Sequence, residues 1–412
     1  MTSLHLKYTY TLQTLPNGLR LFHIPAEESP FTAVVLAYGV GAAHEHPEEA
    51  GLAHLLEHLL FEDEQIAYDQ RLQAVGGTTN AYTGQDYTVY YARVPQEAAN
   101  LALELEAERL YRLTLSPDKI ETQRRVVAEE FRQRYLNPPY ADRFFHIQRM
   151  LFPGHPYAIP VIGRTPEEIL QLPDQALKSF YERYYTPDKA VLVVAGEADM
   201  NRAMELFSGT KEGAPLPGVP SAEGLPLPQD ALVVREGRYP QAAVFWAYRL
   251  PPLEDPAIPA IDLLDDYLGG GSESLLPQKL VYQKGLATRL HTYTWAMHAA
   301  TLWVVEAYLA PGVSVERFEQ ALEETLEEAL SSDLAIALHR YRPMRYLEML
   351  REWEGVLGRA LALAHDVLAG HPEWYEDPLA PYEALTPADL TQTAQTFLRP
   401  ERRIRIHYLP TS

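Results

Sequence analysis

The sequence contains no cysteine among its 412 residues. This absence excludes a disulfide framework, a thiolate metal site and a cysteine nucleophile. Any metal ion would therefore be held by His, Asp or Glu side chains. The hydrophobic fraction of 47% is ordinary for a globular protein, and the length suggests two or three domains of about 100–200 residues each.

Long hydrophobic runs are also missing from the chain. No stretch of about 18 apolar residues occurs, so we expect no transmembrane helix and no membrane partner. The first 20 residues lack the apolar core of about 7–15 residues that a secretory signal needs. These absences favour a cytoplasmic protein.

Basic residues are scarce, and the formal net charge is −21. Nucleic-acid phosphates are bound by clusters of Lys and Arg, so we predict no nucleic-acid partner. The acidic balance is typical of a well-solvated surface. Arg outnumbers Lys by 28 to 7 and proline reaches 33. These biases are typical of a thermophile or of a GC-rich source, and composition does not separate the two.

The clearest boundary is a segment rich in proline and glycine. Residues 213–220 read Gly-Ala-Pro-Leu-Pro-Gly-Val-Pro, and Pro226 and Pro228 follow. Such a segment holds neither a helix nor a central strand, and its prolines stiffen it. We therefore predict a first domain over residues 1–210, a linker over 211–230 and a second domain over 231–412.

The two halves look like distant copies of each other. Residues 33–38, Ala-Val-Val-Leu-Ala-Tyr, match residues 243–248, Ala-Val-Phe-Trp-Ala-Tyr, 210 positions later. Each run leads through an acidic loop with proline into an apolar helix pattern, over 51–61 and 257–268. Self-similarity at a fixed offset indicates a repeated unit.

The pattern along each half mixes strands with paired helices. In the first half, the hydrophobic pattern predicts strands near residues 32–38, 79–82 and 87–94, and one helix near 166–184. This mixture predicts the α+β class. We expect two homologous domains, each with a mostly antiparallel sheet packed with helices.

The segment from Gly51 to Phe61 carries the most chemical information. On a helix, residues four apart lie one turn above each other, so His54 and His58 point the same way. Glu57 shares that face. The neighbouring positions are mostly Leu, so the helix should be buried. Buried His and Glu side chains are costly unless they are paired or bound.

A zinc ion would account for these polar groups. Zinc accepts imidazole and carboxylate ligands in tetrahedral geometry and keeps one position for water in catalytic sites. Binding lowers the pKa of that water to about 7, and Glu57 can take its proton and pass it to the leaving amine. The spacing is that of the inverzincin motif, although two core histidines bonded to carbonyls are an alternative. At an offset of 210 the motif positions are occupied by Leu264, Tyr267 and Leu268, so only the first half carries the chemistry.

The chain also resembles the pitrilysin or insulinase family, M16, which includes the mitochondrial processing peptidase and its bacterial relatives. The resemblance extends over nearly the whole chain. It implies a zinc metalloendopeptidase that hydrolyses unstructured peptides. The segments that carry it, besides the motif, are 76–83 (Gly-Gly-Thr-Thr-Asn-Ala-Tyr-Thr), 88–91 (Thr-Val-Tyr-Tyr), 124–130 (Arg-Arg-Val-Val-Ala-Glu-Glu), 155–163 (His-Pro-Tyr-Ala-Ile-Pro-Val-Ile-Gly) and 268–272 (Leu-Gly-Gly-Gly-Ser).

The resemblance implies a third zinc ligand from a Glu that follows an Arg-x-Val-Val helix. The register of Arg124 places this ligand at Glu130. Glu129, about 100° round the helix, is the competitor. The family usually has another Glu seven residues before the ligand, and this chain has Gln123. A neutral amide there would weaken zinc binding or the rate, since such outer partners tune affinity about 10–100-fold.

The resemblance also implies where the substrate binds. Asn80, Ala81 and Tyr82 resemble the edge strand on which an extended peptide lies. Main-chain pairing there is largely independent of the peptide's sequence. An ordinary buried strand is the alternative, because alternation alone does not reveal an exposed edge.

In active assemblies of this family, an Arg and a Tyr seven residues later reach the substrate from a second-half domain. Val281 and Thr288 stand in their places here. Losing one oxyanion donor typically costs about 10²–10³ in rate. The resemblance thus implies a heterodimer with a paralogous subunit that lacks the zinc motif and supplies both residues. The alternatives are a self-sufficient enzyme, a non-catalytic subunit like the core proteins of a respiratory complex, and a metal-binding scaffold silenced at Gln123.

Overall fold

The strands of the chain form two sheets in the computed structural model, which describes residues 7–26, 28–62, 67–237 and 239–411. The first sheet contains β1 (Thr11–Thr14), β2 (Arg20–Ile24), β3 (Phe31–Tyr38), β4 (Thr78–Thr83), β5 (Thr88–Pro95) and β6 (Ala190–Ala195). The second contains β7 (Leu232–Glu236), β8 (Ala243–Leu250), β9 (Ala287–Ala296), β10 (Thr301–Leu309) and β11 (Arg403–Pro410).

Helices occupy most of the chain between the strands. In the first half they are α1 (Leu52–Leu59), α2 (Tyr68–Ala74), α3 (Ala99–Tyr111), α4 (Pro117–Phe131), α5 (Arg143–Leu151), α6 (Pro166–Leu170), α7 (Asp174–Tyr184) and α8 (Met200–Leu206). In the second half they are α9 (Ile258–Leu268), α10 (Val315–Ser331), α11 (Ala335–Glu352), α12 (Val356–Leu368), α13 (Ala380–Glu383) and α14 (Pro387–Phe397). Two stretches, Arg132–Leu136 and Pro277–Gln283, are π-helical. In the described ranges, no helix is both long enough and apolar enough to cross a membrane.

The two sheets share one topology. Their strand orders are β1-β2-β6-β3-β5-β4 and β7-β11-β8-β10-β9. β3 lies between β6 and β5 and is antiparallel to both, as β8 lies between β11 and β10. β2 runs parallel to β6, and β7 runs parallel to β11. The predicted α+β class with two sheet-plus-helix domains is confirmed, and β1 is the one strand of the first sheet without a counterpart in the described second sheet.

The compact units interleave along the chain. Of the described residues, those within 1–133, 159–219 and 349–378 form one unit, and those within 134–158, 220–348 and 379–412 form the other. Helix α12 thus belongs to the unit of the first sheet, although it comes from the second half of the sequence. The predicted division at residues 211–230 concerns the order of the two copies along the chain, and it stays a prediction.

The core of the first unit follows from the composition of its central strands. β3 reads Phe-Thr-Ala-Val-Val-Leu-Ala-Tyr, and only its first residue is exposed. One face of the sheet packs against α12 through Ala360, Leu363, Ala364 and Val367. Helices α1 and α3 also contact strands of this sheet. The core of the second unit is built from β8, β9, β10 and helices α9, α10 and α14.

The helix predicted over residues 166–184 is two helices. α6 ends at Leu170 and α7 begins at Asp174. Pro173 precedes α7 with an extended backbone. Because proline lacks an N–H donor and disfavours the helical region for the residue before it, one continuous helix cannot form there.

Candidate metal centre

The motif lies on α1, a short helix whose first turn is held by groups outside it. Gly51 precedes the helix with φ of +95°, a backbone region that favours glycine. A Cβ at Gly51 would lie 2.8 Å from the carbonyl oxygen of Ile162. The carboxylate of Glu45 accepts hydrogen bonds from the N–H groups of Gly51 at 2.9 Å and Ala53 at 2.7 Å. It thereby satisfies donors that the first turn of a helix leaves without an internal partner.

Three side chains from α1 and α4 converge on one point. The rings of His54 and His58 have centroids 4.8 Å apart. Oε2 of Glu130 lies 3.9 Å from Nε2 of His54 and 3.4 Å from Nε2 of His58. The side chains of His54, His58 and Glu130 are 13%, 23% and 16% exposed, so solvent reaches all three. In the described part of the chain, these side chains form the cluster placed to hold a metal ion.

The donor set fits a zinc ion. Zinc binds imidazole nitrogen at about 2.0–2.1 Å and carboxylate oxygen at about 2.0–2.2 Å. In a tetrahedron, such bonds place neighbouring ligand atoms about 3.3–3.6 Å apart. The distances of 3.4 Å and 3.9 Å to Glu130 Oε2 are close to these edges. Three protein ligands also leave a fourth position open, as in catalytic zinc sites.

Glu129 makes its polar contacts with residues that follow it in sequence. Its side chain is 53% exposed, and its Oε2 lies 3.5 Å from Nη1 of Arg132. Its Oε1 accepts a hydrogen bond from Nε2 of Gln133 at 3.1 Å. Of the two adjacent carboxylates weighed from the sequence, Glu130 is the one that lies with His54 and His58.

Gln123 contacts the far side of the His58 ring. Its Oε1 lies 3.3 Å from Nδ1 of His58, and its side chain is buried. Because an amide oxygen only accepts hydrogen bonds, the contact favours a proton on Nδ1 and leaves the Nε2 lone pair for a metal ion. Gln123 therefore orients His58 without adding negative charge.

Glu57 is buried beside the cluster. Its Oε2 accepts a hydrogen bond from the hydroxyl of Thr83 at 2.5 Å. Burial raises the pKa of the Glu57 carboxyl above its ordinary value, and the hydrogen bond from Thr83 and the nearby His58 oppose the shift. A carboxyl with a raised pKa beside a cluster that could hold a metal ion is suited to take up a proton.

Asn80, Ala81 and Tyr82 lie on β4, at one edge of the first sheet. Among the described strands, β4 pairs only with β5. Asn80 is exposed, and Ala81 and Tyr82 are partly buried. The hydroxyl of Tyr82 lies 2.7 Å from Nε2 of His365 on α12. The backbone of this strand is therefore open to pairing on one side, while the Tyr82 side chain is engaged within the protein.

The second half has no such cluster in its described residues. Its motif positions are buried core residues of the second unit: Leu264, Tyr267 and Leu268. Val281 packs against the same core. The Thr288 hydroxyl donates to the carbonyl oxygen of Tyr308 at 3.2 Å and accepts from Nε2 of Gln241 at 2.9 Å.

Three residues near the site were not predicted from the sequence. Thr83 directly follows the predicted substrate strand. The alternation of side chains along a strand places Thr83 on the face opposite Tyr82, and this was the signal in the sequence that could have identified it. Glu45 carried no signal beyond lying six residues before Gly51. His365 lies 283 positions from Tyr82, and sequence spacing gave no indication of their contact.

Two sequence models of one peptidase family match the chain. The model of insulinase, peptidase family M16, matches residues 23–163, which include α1 and Glu130. The model of the peptidase M16 inactive domain matches residues 172–335. The model of the inactive domain thus matches the part of the chain that lacks the motif.

Related proteins agree with this match. The zinc protease PqqE of Helicobacter pylori is 28% identical over 339 residues, which are 79% of this chain and 75% of that protein. An uncharacterized zinc protease of Mycobacterium leprae is 34% identical over 296 residues, which are 68% of this chain and 64% of that protein. The crystal structure of a protease from Helicobacter pylori has the same fold, with a TM-score of 0.88 at 23% identity over 98% of this chain and 100% of that one. The chain belongs to the insulinase family of zinc proteases, peptidase family M16.

Proposed function

We propose that the chain is a zinc metalloendopeptidase subunit that hydrolyses peptide bonds of unstructured peptides. The observation that supports this most directly is the convergence of His54, His58 and Glu130, with the buried carboxyl of Glu57 beside them. His54, His58 and Glu130 would hold the ion. Zinc bound there supplies a Lewis acid that lowers the pKa of a water ligand to about 7 and polarises the scissile carbonyl.

Glu57 serves as the general base and then as the general acid. Its Oε2 accepts the hydrogen bond of the Thr83 hydroxyl, and the carboxylate keeps further acceptor sites for the proton of the attacking water. The same carboxyl then delivers the proton to the nitrogen of the leaving amine. Its raised pKa favours the first step, because a less acidic carboxyl accepts a proton more readily.

The substrate would bind as an added strand on β4. The outer edge of β4 has no partner among the described strands, so Asn80, Ala81 and Tyr82 present backbone groups that an extended peptide can pair with. Such pairing requires the peptide to be unfolded locally. The substrate class is therefore unstructured peptides or extensions of folded proteins.

A paralogous subunit would complete the active assembly. The Thr288 hydroxyl is engaged with Gln241 and Tyr308, and Val281 carries no donor, so neither residue supplies the oxyanion contacts that the family resemblance implies. Each missing donor typically costs about 10²–10³ in rate. We therefore infer a heterodimer in which a partner without the zinc motif provides the Arg and Tyr.

The test is zinc analysis and hydrolysis of a quenched fluorescent peptide, with the chain alone and with the paralogue that co-purifies from its source. We expect one zinc per chain and strong cleavage only with the partner. Glu57→Gln should keep its zinc and lose about 10²–10⁴ in kcat, since it removes proton transfer alone. Zinc without cleavage in the presence of the partner would favour a silenced scaffold. Neither zinc nor cleavage would favour an assembly subunit, and full activity of the chain alone would refute the heterodimer.

A further inference from the structure

The end of β4 is held from both faces of the sheet. Successive residues of a strand point to opposite faces, so Tyr82 and Thr83 reach different neighbours. Thr83 donates its hydrogen bond to Glu57 of α1, which carries the motif. Tyr82 reaches His365 of α12, on the face that packs against that helix. The same two residues therefore connect α12 to the carboxyl of Glu57.

The contact between Tyr82 and His365 has two components. The Tyr82 hydroxyl and Nε2 of His365 are 2.7 Å apart. The two rings are also stacked, with centroids 5.9 Å apart and an angle of 13° between their planes. Tyr87, which follows the turn between β4 and β5, meets the same imidazole edge to face at 4.8 Å. His365 therefore contacts the residues on both sides of this turn.

His365 lies on a helix that is packed in the core of the first unit. α12 buries Ala360, Leu363, Ala364 and Val367 in the core of the first unit. A side chain on such a helix is better fixed than one on a loop.

The turn between β4 and β5 is held at its backbone by a different segment. The carbonyl oxygens of Gly84 and Gln85 accept hydrogen bonds from the N–H groups of Ala42 at 3.1 Å and Ala43 at 2.8 Å. Gln85 also donates from Nε2 to the carbonyl oxygen of Ile159 at 2.8 Å. These bonds hold the turn itself. Tyr82 pairs with Val89 of β5 in the ladder, and its side chain adds the contact with His365.

We propose that His365 is a positioning residue for catalysis, and this inference rests on the proposed peptidase function. Through Tyr82 it fixes the end of the edge strand β4, so that the Thr83 hydroxyl meets Glu57 and the free edge of β4 receives the peptide in one register. An edge strand has a neighbour on one side only and is prone to local opening. The contact of His365 with Tyr82 stabilises this end of β4 against local opening. His365 itself contacts neither substrate nor metal.

The test compares His365→Leu, which removes the polar contact and the stacking, with His365→Gln, which keeps a polar group for the Tyr82 hydroxyl. His371→Leu is the matched control, because His371 lies in the same unit, is partly exposed and contacts Glu373 and Trp374 instead of β4. With the assembled enzyme, His365→Leu should lower kcat/KM at least about 10-fold, since small displacements of reacting groups cost up to about 10²-fold. We expect both a higher KM and a lower kcat. His365→Gln should recover most of the loss, and His371→Leu should match the wild type.

Two further measurements separate positioning from loss of folding or of zinc. The zinc dissociation constant of His365→Leu, measured by chelator competition, should stay within about twofold of the wild type, because the metal ligands are untouched. The double variant Tyr82→Phe with His365→Leu should be no slower than His365→Leu alone, since both changes remove the same hydrogen bond. Independent, multiplying effects of the two changes would contradict the proposal.

Hydrogen exchange tests the inference without any activity. Backbone amides of residues 78–83 should exchange faster in His365→Leu and Tyr82→Phe than in the wild type, while amides of α1 remain protected. Unchanged exchange in β4 would overturn the role of His365, even if the peptidase function holds. Faster exchange in a chain that binds no zinc would instead count against the proposed function alone. His365→Gln and Tyr82→Phe keep the experiment decisive if His365→Leu fails to fold.

Discussion

Gln123 provides a direct test of the proposed zinc site. Its amide oxygen lies 3.3 Å from Nδ1 of His58, and the side chain is 7% exposed. In Gln123→Glu, a carboxylate of nearly the same shape accepts the same proton and makes the imidazole a stronger ligand. Such partners of metal-bound histidines change affinity about 10–100-fold. We therefore expect the zinc dissociation constant to fall about 10–100-fold, which corresponds to about 1.4–2.7 kcal/mol.

The metal-free protein should respond in the opposite direction. Glu57 and Glu130 already lie beside His58, so a third carboxylate at position 123 adds repulsion between like charges that a bound cation relieves. Gln123→Glu should melt below the wild type in chelator and gain more from zinc, with the extra gain set by the ratio of the two dissociation constants. Gln123→Leu, which removes the acceptor, should bind zinc more weakly than the wild type.

The assay is competition for zinc against a chromophoric chelator, together with thermal melting with and without zinc. Gln392→Glu is the charge-matched control, because Gln392 is exposed on α14 and the change alters the net charge equally. Its dissociation constant should equal that of the wild type. The reasoning fails if affinity does not rank Glu above Gln above Leu at position 123.

Three further predictions concern the proposed metal ligands, the residue before α1 and a buried carboxyl. Glu130→Gln should lower zinc affinity at least about 10-fold, since it replaces a proposed ligand, whereas Glu129→Gln should leave zinc affinity unchanged; equal losses would show that the wrong carboxylate was assigned. Gly51→Ala should lower the free energy of unfolding in urea by roughly 1–3 kcal/mol, because the new Cβ would lie 2.8 Å from a carbonyl oxygen at a residue with positive φ. Gly76→Ala, at a φ of +78° but with its nearest contact at 3.9 Å, should cost less. Equal costs would contradict the steric argument. Burial raises the pKa of the Asp366 carboxyl from an ordinary 3.8 to about 8. Between these pH values the folded chain keeps a proton that the unfolded chain releases. The stability that this group contributes is therefore complete below about pH 4 and is lost as the pH rises through 8. Asp366→Asn should therefore gain stability over the wild type between pH 5 and pH 8.5 in melting experiments, by at most about 1.4 kcal/mol per pH unit, and a constant difference across that range would contradict the shift.

The strands of the first half show how far sequence patterns reach. The predicted strands near 32–38, 79–82 and 87–94 lie within one residue of β3, β4 and β5 at each end. Alternation and apolar runs suffice to predict these strands, because burial in a sheet depends on the residues of the strand itself. The helix near 166–184 was wrong at its centre because the effect of Pro173 outweighed the helical pattern on both sides.

The repeat was also readable from the sequence. The match at an offset of 210 predicted a duplicated domain, and both sheets have the strand order that a duplication requires. What the offset did not reveal is that α12 packs on the first sheet and α5 packs against the strands of the second. Helices that join a unit away from their own stretch of sequence leave no periodic signal in the chain.

By itself, the sequence determined the chemistry that depends on one helix. His54, Glu57 and His58 share a face because the helical repeat is a property of the backbone, and their identity is enough to indicate a metal and a base. Only the tertiary structure decided the partners that lie far along the chain: that Glu130 and not Glu129 joins the histidines, that Gln123 orients His58, and that His365 meets Tyr82. Spacing fixes which way a side chain points from its own helix or strand, whereas distances between separate elements are set by how their cores pack.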